Sequence, residues 1–154
     1  MEVHFLSAYP LTSKLMRSGI RIRNSKGKQM TTKRILLIDD EDDIREIAQL
    51  SLEMIGGWSV ITACCGMEGI ETAESEQPDA IMLDVMMPDL DGFATFQKLQ
   101  ANQQTKDIPV ILLTAKIQDR DRQKFDSLGV SGVIAKPFEP LSLAEEVAQI
   151  LGWA

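Results

Sequence analysis

Ile81-Met82-Leu83-Asp84-Val85-Met86-Met87-Pro88-Asp89-Leu90-Asp91-Gly92 sets a carboxylate at the end of an apolar run and follows it at once with a loop punctuated by Pro and Gly. In an open parallel sheet, the loops at the carboxyl ends of the strands form the ligand crevice, so Asp84 belongs at its lip and not in the core. Three more apolar runs end in the same manner. Leu36-Leu37-Ile38 runs into Asp39-Asp40, Ile111-Leu112-Leu113 into Thr114, and Val133-Ile134-Ala135 into Lys136. Four strand ends therefore deliver three carboxylates, a hydroxyl and an ammonium.

Outward from this stretch, short apolar runs alternate five times with helical stripes. The periodicity predicts strands over Ile35 to Ile38, Ser59 to Thr62, Ala80 to Leu83, Val110 to Leu113 and Gly132 to Ala135. Between them, Ile44, Ile47, Ala48, Met54 and Ile55 share one face at helical spacing, as do Phe93, Phe96 and Leu99. Leu143, Ala144, Val147, Ile150 and Leu151 do so in a last helix that Pro140 is placed to open. Parallel strands need crossover helices and the helices must cover both faces, so the pattern predicts an α/β fold with a doubly wound, five-stranded parallel sheet.

At 154 residues and 44% apolar, the chain suffices for one globular domain and not for two sizeable ones. The net charge of −7 is unevenly spread: residues 1–34 hold eight Lys/Arg against one acid, and residues 35–154 eight against twenty-two. A basic arm, residues 1–32, precedes an acidic domain, residues 33–154. The arm has no sustained apolar period and ends in Asn24-Ser25-Lys26-Gly27-Lys28-Gln29, a composition expected to stay disordered and inert. A nucleic-acid arm or a targeting segment has weaker compositional support, and Met30, just ahead of the first strand, is a candidate start of translation. No apolar run is long enough to span a membrane.

The ordered set of an acidic pair after the first strand, an Asp followed by Met-Pro and Asp-Gly, Thr114-Ala115 after the fourth strand and Lys136-Pro137-Phe138 after the fifth resembles the receiver domain of two-component response regulators. The resemblance covers about Lys33 to Trp153. It implies a flavodoxin-like (βα)5 fold with strand order 2-1-3-4-5 and a cis Lys136-Pro137 bond. It also implies a phosphorylation-dependent signalling switch in which Asp84 accepts a phosphoryl group. The expected donor is a sensor histidine kinase or a histidine phosphotransfer protein, and the output is an unidentified partner or onward phosphotransfer. Such a protein is not an enzyme in the ordinary sense, since it catalyses only its own phosphorylation and slow dephosphorylation.

Chemistry supports the same assignment. Asp39, Asp40 and Asp84 crowd negative charge into one crevice, which a hard divalent cation relieves. Oxygen-only ligands suit Mg²⁺, with Mn²⁺ as an alternative. The resemblance implies Asp40, Asp84 and the backbone carbonyl of Met86 as direct ligands, with Asp39 acting through water. Taken alone, an acidic pair is more often a helix N-terminus, a role Asp42 or Asp43 can fill instead. Lys136 and Thr114 are expected to stabilise the equatorial phosphoryl oxygens, and Lys136 to pair with Asp84 beforehand. The only histidine, His4, lies in the arm and no nucleotide phosphate loop is present, so the donor is expected to be another molecule.

Two features bear on output. Receivers commonly carry an aromatic residue three positions before the Lys, and here it is Val133, which removes the usual aromatic rotation. The fourth helix, about Gln118 to Leu128, has only Phe125 and Leu128 as apolar anchors, which suits a moving part. Lys116, Ile117, Arg120 and Ile134 are candidates for the partner surface. Cys64 and Cys65 fall in no Cys-x-x-Cys spacing and are expected to stay reduced in the cytoplasm. The chain ends at Ala154, which predicts a stand-alone receiver with no DNA-binding domain. Two other readings compete: a Mg²⁺-dependent phosphohydrolase, disfavoured because Met86 and not Asp follows Asp84 by two, and a receiver-like module that binds partners without phosphorylation.

Overall fold

The computed structural model describes residues 22–23, 29–30, 32–87, 90–115 and 119–153. Two compact units divide the chain, Met1–Lys33 and Arg34–Ala154. In the first, Ile22–Arg23 pairs antiparallel with Gln29–Met30, Ile22 opposite Met30. That short ribbon is the only paired backbone among the described residues of this unit. Backbone groups alone make such a pairing, so it needs no apolar period in the sequence. The expectation for residues 1–32 lies almost wholly outside the described residues.

The second unit alternates strand and helix: β1 (Arg34–Ile38), α1 (Asp42–Met54), β2 (Ser59–Ala63), α2 (Gly66–Glu76), β3 (Ala80–Asp84), α3 (Gly92–Ala101), β4 (Val110–Thr114), α4 (Asp119–Leu128), β5 (Gly132–Ala135) and α5 (Leu143–Leu151). The five strands form one parallel sheet in the order β2-β1-β3-β4-β5. The expected doubly wound fold is therefore present, and each expected strand lies within an observed one.

Successive side chains of a strand point to opposite faces. On one face Leu36, Ile38, Ile81, Leu83, Val110 and Leu112 pack under α2, α3 and α4 through Ala73, Phe96, Leu99 and Phe125. On the other, Ile35, Leu37, Met82, Ile111, Leu113 and Ile134 pack under α1 and α5 through Ala48, Leu52, Leu143, Ala144 and Val147. Burying a large aliphatic side chain stabilises by roughly 1.5–3 kcal/mol, so both layers hold the sheet firmly and leave its carboxyl edge to function.

Three expectations are corrected. Ile134 is 1% exposed, because it alternates onto the face that α1 and α5 cover; it is core and offers no partner surface. In α1 the buried residues are Ala48, Ser51 and Leu52, while Ile47, Met54 and Ile55 are exposed. The buried stripe includes a serine whose hydroxyl donates to the Pro140 carbonyl, so phasing the helix on apolar residues alone rotates it outward. Pro140 does not open α5; Ser142 is its N-cap residue, and Pro140 stands in the turn before it.

Candidate functional site

Sheet register brings the strand ends together. Ile38 lies opposite Leu83, so Asp39 and Asp84 stand level on adjacent strands, and Thr114 lies opposite Ala135, one residue before Lys136. Asp39 is wholly buried, Asp84 is 1% exposed and Thr114 is buried. Such polar burial at a strand terminus is costly unless partners compensate it.

Lys136 supplies much of that compensation. Its Nζ lies 3.0 Å from Asp39 Oδ2, 3.4 Å from Asp84 Oδ2 and 3.4 Å from Glu41 Oε1. Its backbone N–H donates to the Thr114 carbonyl at 2.8 Å, which fixes the turn that carries the ammonium. The Lys136-Pro137 bond is cis, as the resemblance implies. The expected pairing of Lys136 with Asp84 is present, but its tighter partner is Asp39. Burial drives the Lys136 pKa down, and the hydrogen bond to Asp39 with the charges of Asp39, Asp84 and Glu41 more than offsets this, leaving it raised.

Asp84 behaves in the opposite sense. Burial, with the neighbouring Asp39 charge, pushes its carboxyl up to about 6, against the pull of the Met86 N–H and of Lys136. The Met86 N–H donates to Asp84 Oδ1 at 3.1 Å, turning the other oxygen toward Lys136. The loop that follows returns tightly: Gly92 N–H donates to the Val85 carbonyl at 3.0 Å. A Cβ at Gly92 would lie 2.5 Å from the Asp84 carbonyl oxygen and 2.6 Å from Val85 Cα, so only glycine lets α3 start this close to the acidic residue. Asp91 caps α3, accepting from the Ala94 N–H at 2.8 Å.

Asp39, Asp40, Glu41 and Asp84 can each offer a carboxylate oxygen within 4.8 Å of the others. Asp40 Oδ1 is buried without a hydrogen-bond donor among the described residues, and Asp84 Oδ2 is buried with only the 3.4 Å ion pair to Lys136. Four oxygen donors with two such atoms fit a hard divalent cation. Glu41 was not singled out in the sequence. The signal available was its place as the third acid of Asp39-Asp40-Glu41, and it serves as the N-cap residue of α1. Asp42 and Asp43 lie in the first turn of α1, where they meet the helix dipole, but neither is its N-cap residue as the capping alternative supposes, since Glu41 holds that position; Asp42 pairs with Arg45. Met86 is exposed at the rim.

Of the partner-surface candidates, Lys116 and Ile117 lie outside the described residues, as does the side chain of Arg120, which falls within α4. Val133 is half-buried and packs against the core layer that includes Phe125, as does Leu128. Phe125 stacks on Phe93 of α3 with centroids 5.7 Å apart, which ties α4 to the helix that follows the Asp84 loop.

Residues 35–148 match the response regulator receiver domain family. The chain is 42% identical over 119 residues to the DNA-binding dual master transcriptional regulator RpaA of Synechocystis, covering 77% of this chain and 48% of that protein. It is 41% identical, with the same coverage, to the alkaline phosphatase synthesis transcriptional regulatory protein PhoP of Bacillus subtilis. The chain thus spans about half the length of these curated relatives. Among solved structures, the chemotaxis response regulator CheY4 of Vibrio cholerae superposes with a TM-score of 0.72 at 29% identity, covering 78% of this chain and 99% of that one. The receiver domain of the sensor histidine kinase PA1611 of Pseudomonas aeruginosa, solved with a magnesium ion coordinated in its active-site cleft, superposes with a TM-score of 0.69 at 27% identity, covering 79% and 98%. Fold, acidic crevice and these matches define one class: phosphorylation-dependent signalling switches rather than classical enzymes. The chain belongs to the response regulator receiver domain family. No helix among the described residues is long and apolar enough to cross a membrane.

Proposed function

We propose that Asp84 is the phosphoacceptor of this receiver, taking its phosphoryl group from a phosphohistidine on a histidine kinase or phosphotransfer protein. The observation that carries this reading is the buried Asp84 carboxylate, level with Asp39 and held 3.4 Å from the Lys136 ammonium. A carboxylate oxygen of Asp84 attacks phosphorus, the bond from phosphorus to the imidazole nitrogen breaks, and the acyl phosphate remains on the aspartate. Lys136 stabilises the charge on the equatorial oxygens, and the Thr114 hydroxyl, at the adjacent strand end, donates to one of them.

Asp40, Asp84 and the Met86 carbonyl would hold Mg²⁺, with Asp39 and Glu41 near enough to bind it through water. Mn²⁺ prefers the same oxygen ligands. When bound, the ion supplies positive charge to the phosphoryl oxygens. The acyl phosphate hydrolyses slowly on the protein, and Asp39, Asp40, Asp84, Thr114 and Lys136 form the working set. Phosphorylation biases the segment between Thr114 and Leu128, which signals by binding a partner or by passing the phosphoryl group on. A cytoplasmic location follows from a donor of this type.

The test is labelling by acetyl phosphate in Mg²⁺ and in EDTA. Labelling is expected to need the cation and to be slowed at least tenfold by Lys136→Ala, since several kcal/mol of charge stabilisation is lost. Equal labelling in EDTA and Mg²⁺ would contradict the reading.

A further inference from the structure

We infer that Cys64, Cys65 and Glu68 form a site for one thiophilic dication of the zinc and cadmium class, at the start of α2 and separate from the acidic crevice. Both thiol sulfurs and a Glu68 carboxylate oxygen lie within 4.8 Å of one another. In a tetrahedral site with metal–sulfur bonds of about 2.3 Å, two sulfurs stand about 3.8 Å apart, so rotations of surface side chains close the set. The carboxylate is already aimed: Cys64 Sγ donates to Glu68 Oε2 at 2.8 Å and the Cys64 N–H donates to the same oxygen at 3.2 Å. A metal would take the lone pair that now accepts the thiol proton.

Local chain geometry explains how adjacent cysteines converge. Cys64 stands in a bend after β2 and Cys65 is the extended N-cap residue of α2, whose own side chain makes no capping hydrogen bond. Glu68, in the first turn, reaches back to Cys64, and the Cys65 sulfur lies within 4.8 Å of its carboxylate. Cys64 and Glu68 are exposed and Cys65 is half-buried, which leaves the remaining coordination position to water. Sulfur donors select this site against the oxygen-only crevice of Asp39, Asp40, Glu41 and Asp84. Binding is balanced by release of both thiol protons: one dication and two thiols give a dithiolate complex and two protons, so affinity rises with pH. The simpler reading, a capping contact between Glu68 and the preceding turn, accounts for the Cys64 N–H bond but gives Cys65 no part.

Cadmium titration of the full chain, kept reduced and in excess Mg²⁺, tests the inference. The expected result is one ion per chain, a thiolate-to-cadmium charge-transfer band in the ultraviolet, and two protons released per ion. Cys64→Ser and Cys65→Ser should each weaken binding and diminish the band, and Glu68→Gln should weaken binding roughly tenfold or more with the band retained. Asp84→Asn should bind as wild type does, which separates this site from the acidic one. Absence of the band, unchanged binding in both serine variants, loss of the band in Asp84→Asn, or one ion shared by two chains in ultracentrifugation would each overturn the assignment.

Discussion

Asp84 weakens the fold that holds it. With its carboxyl raised to about 6 from an ordinary 3.8, the folded state keeps a proton that the unfolded chain has released. Folding therefore binds protons between about pH 4 and pH 6, and stability falls as pH rises through that window. Above it the cost is constant, on the order of 3 kcal/mol at most. Asp84→Asn removes the charge while its amide oxygen can still accept from Met86. In EDTA at pH 7.5 this variant should melt several degrees above wild type, and the gain should shrink toward zero as pH falls to about 4. An equal gain at both pH values, measured by calorimetry, would show that burial of the charge is not its cause. Gly92 is the second residue whose identity the site dictates. Gly92→Ala forces backbone against backbone at Asp84 and Val85, so it should cost roughly 1–3 kcal/mol and slow phosphorylation. Wild-type melting and labelling in that variant would refute the close-approach argument.

Among the elements, α4 is where an output is expected to form. It contributes Phe125 to the core and stacks it on Phe93, while its sequence is otherwise dominated by charge. Val133, in β5, has two methyls and one stiff torsion and cannot swing between solvent and interior as a ring does. Movement of Thr114 toward a phosphoryl group would draw Ala115 and the residues after it, and α4 can follow. Backbone amide shifts of the free and beryllofluoride-bound forms, both in Mg²⁺, should change most between Thr114 and Leu128 outside the site itself. Changes centred on Val133 and β5, with α4 unmoved, would place the route elsewhere. The strands were legible in the sequence because a parallel sheet buried on both faces leaves unbroken apolar runs such as Ile81-Met82-Leu83 and Ile111-Leu112-Leu113. The phase of α1 was not, since Ser51 is buried for its bond to Pro140 while Ile47 and Met54 face outward. Ile134 was misplaced for a related reason: alternation in β5 directs it under α1 and α5, which a single strand cannot reveal.

At the scale of the molecule, the receiver unit packs two hydrophobic layers, one on each face of its own sheet. Deleting residues 1–30 should leave the melting temperature and phosphorylation unchanged; a fall of several degrees, roughly 1 kcal/mol, would show that the arm docks on the unit. The candidate site was legible nearly whole because its residues close four separate strands, and register alone gathers them. Glu41 was not, because its approach to Lys136 depends on how α1 begins. The ribbon at Ile22–Arg23 and Gln29–Met30 left no periodic trace either. The central claim, that this crevice exists to phosphorylate Asp84, is tested most directly by mass spectrometry of the full chain after acetyl phosphate treatment in Mg²⁺. A single phosphoryl group confined to Asp84, and absent from Asp84→Asn, is the result expected; undiminished labelling of Asp84→Asn would contradict it.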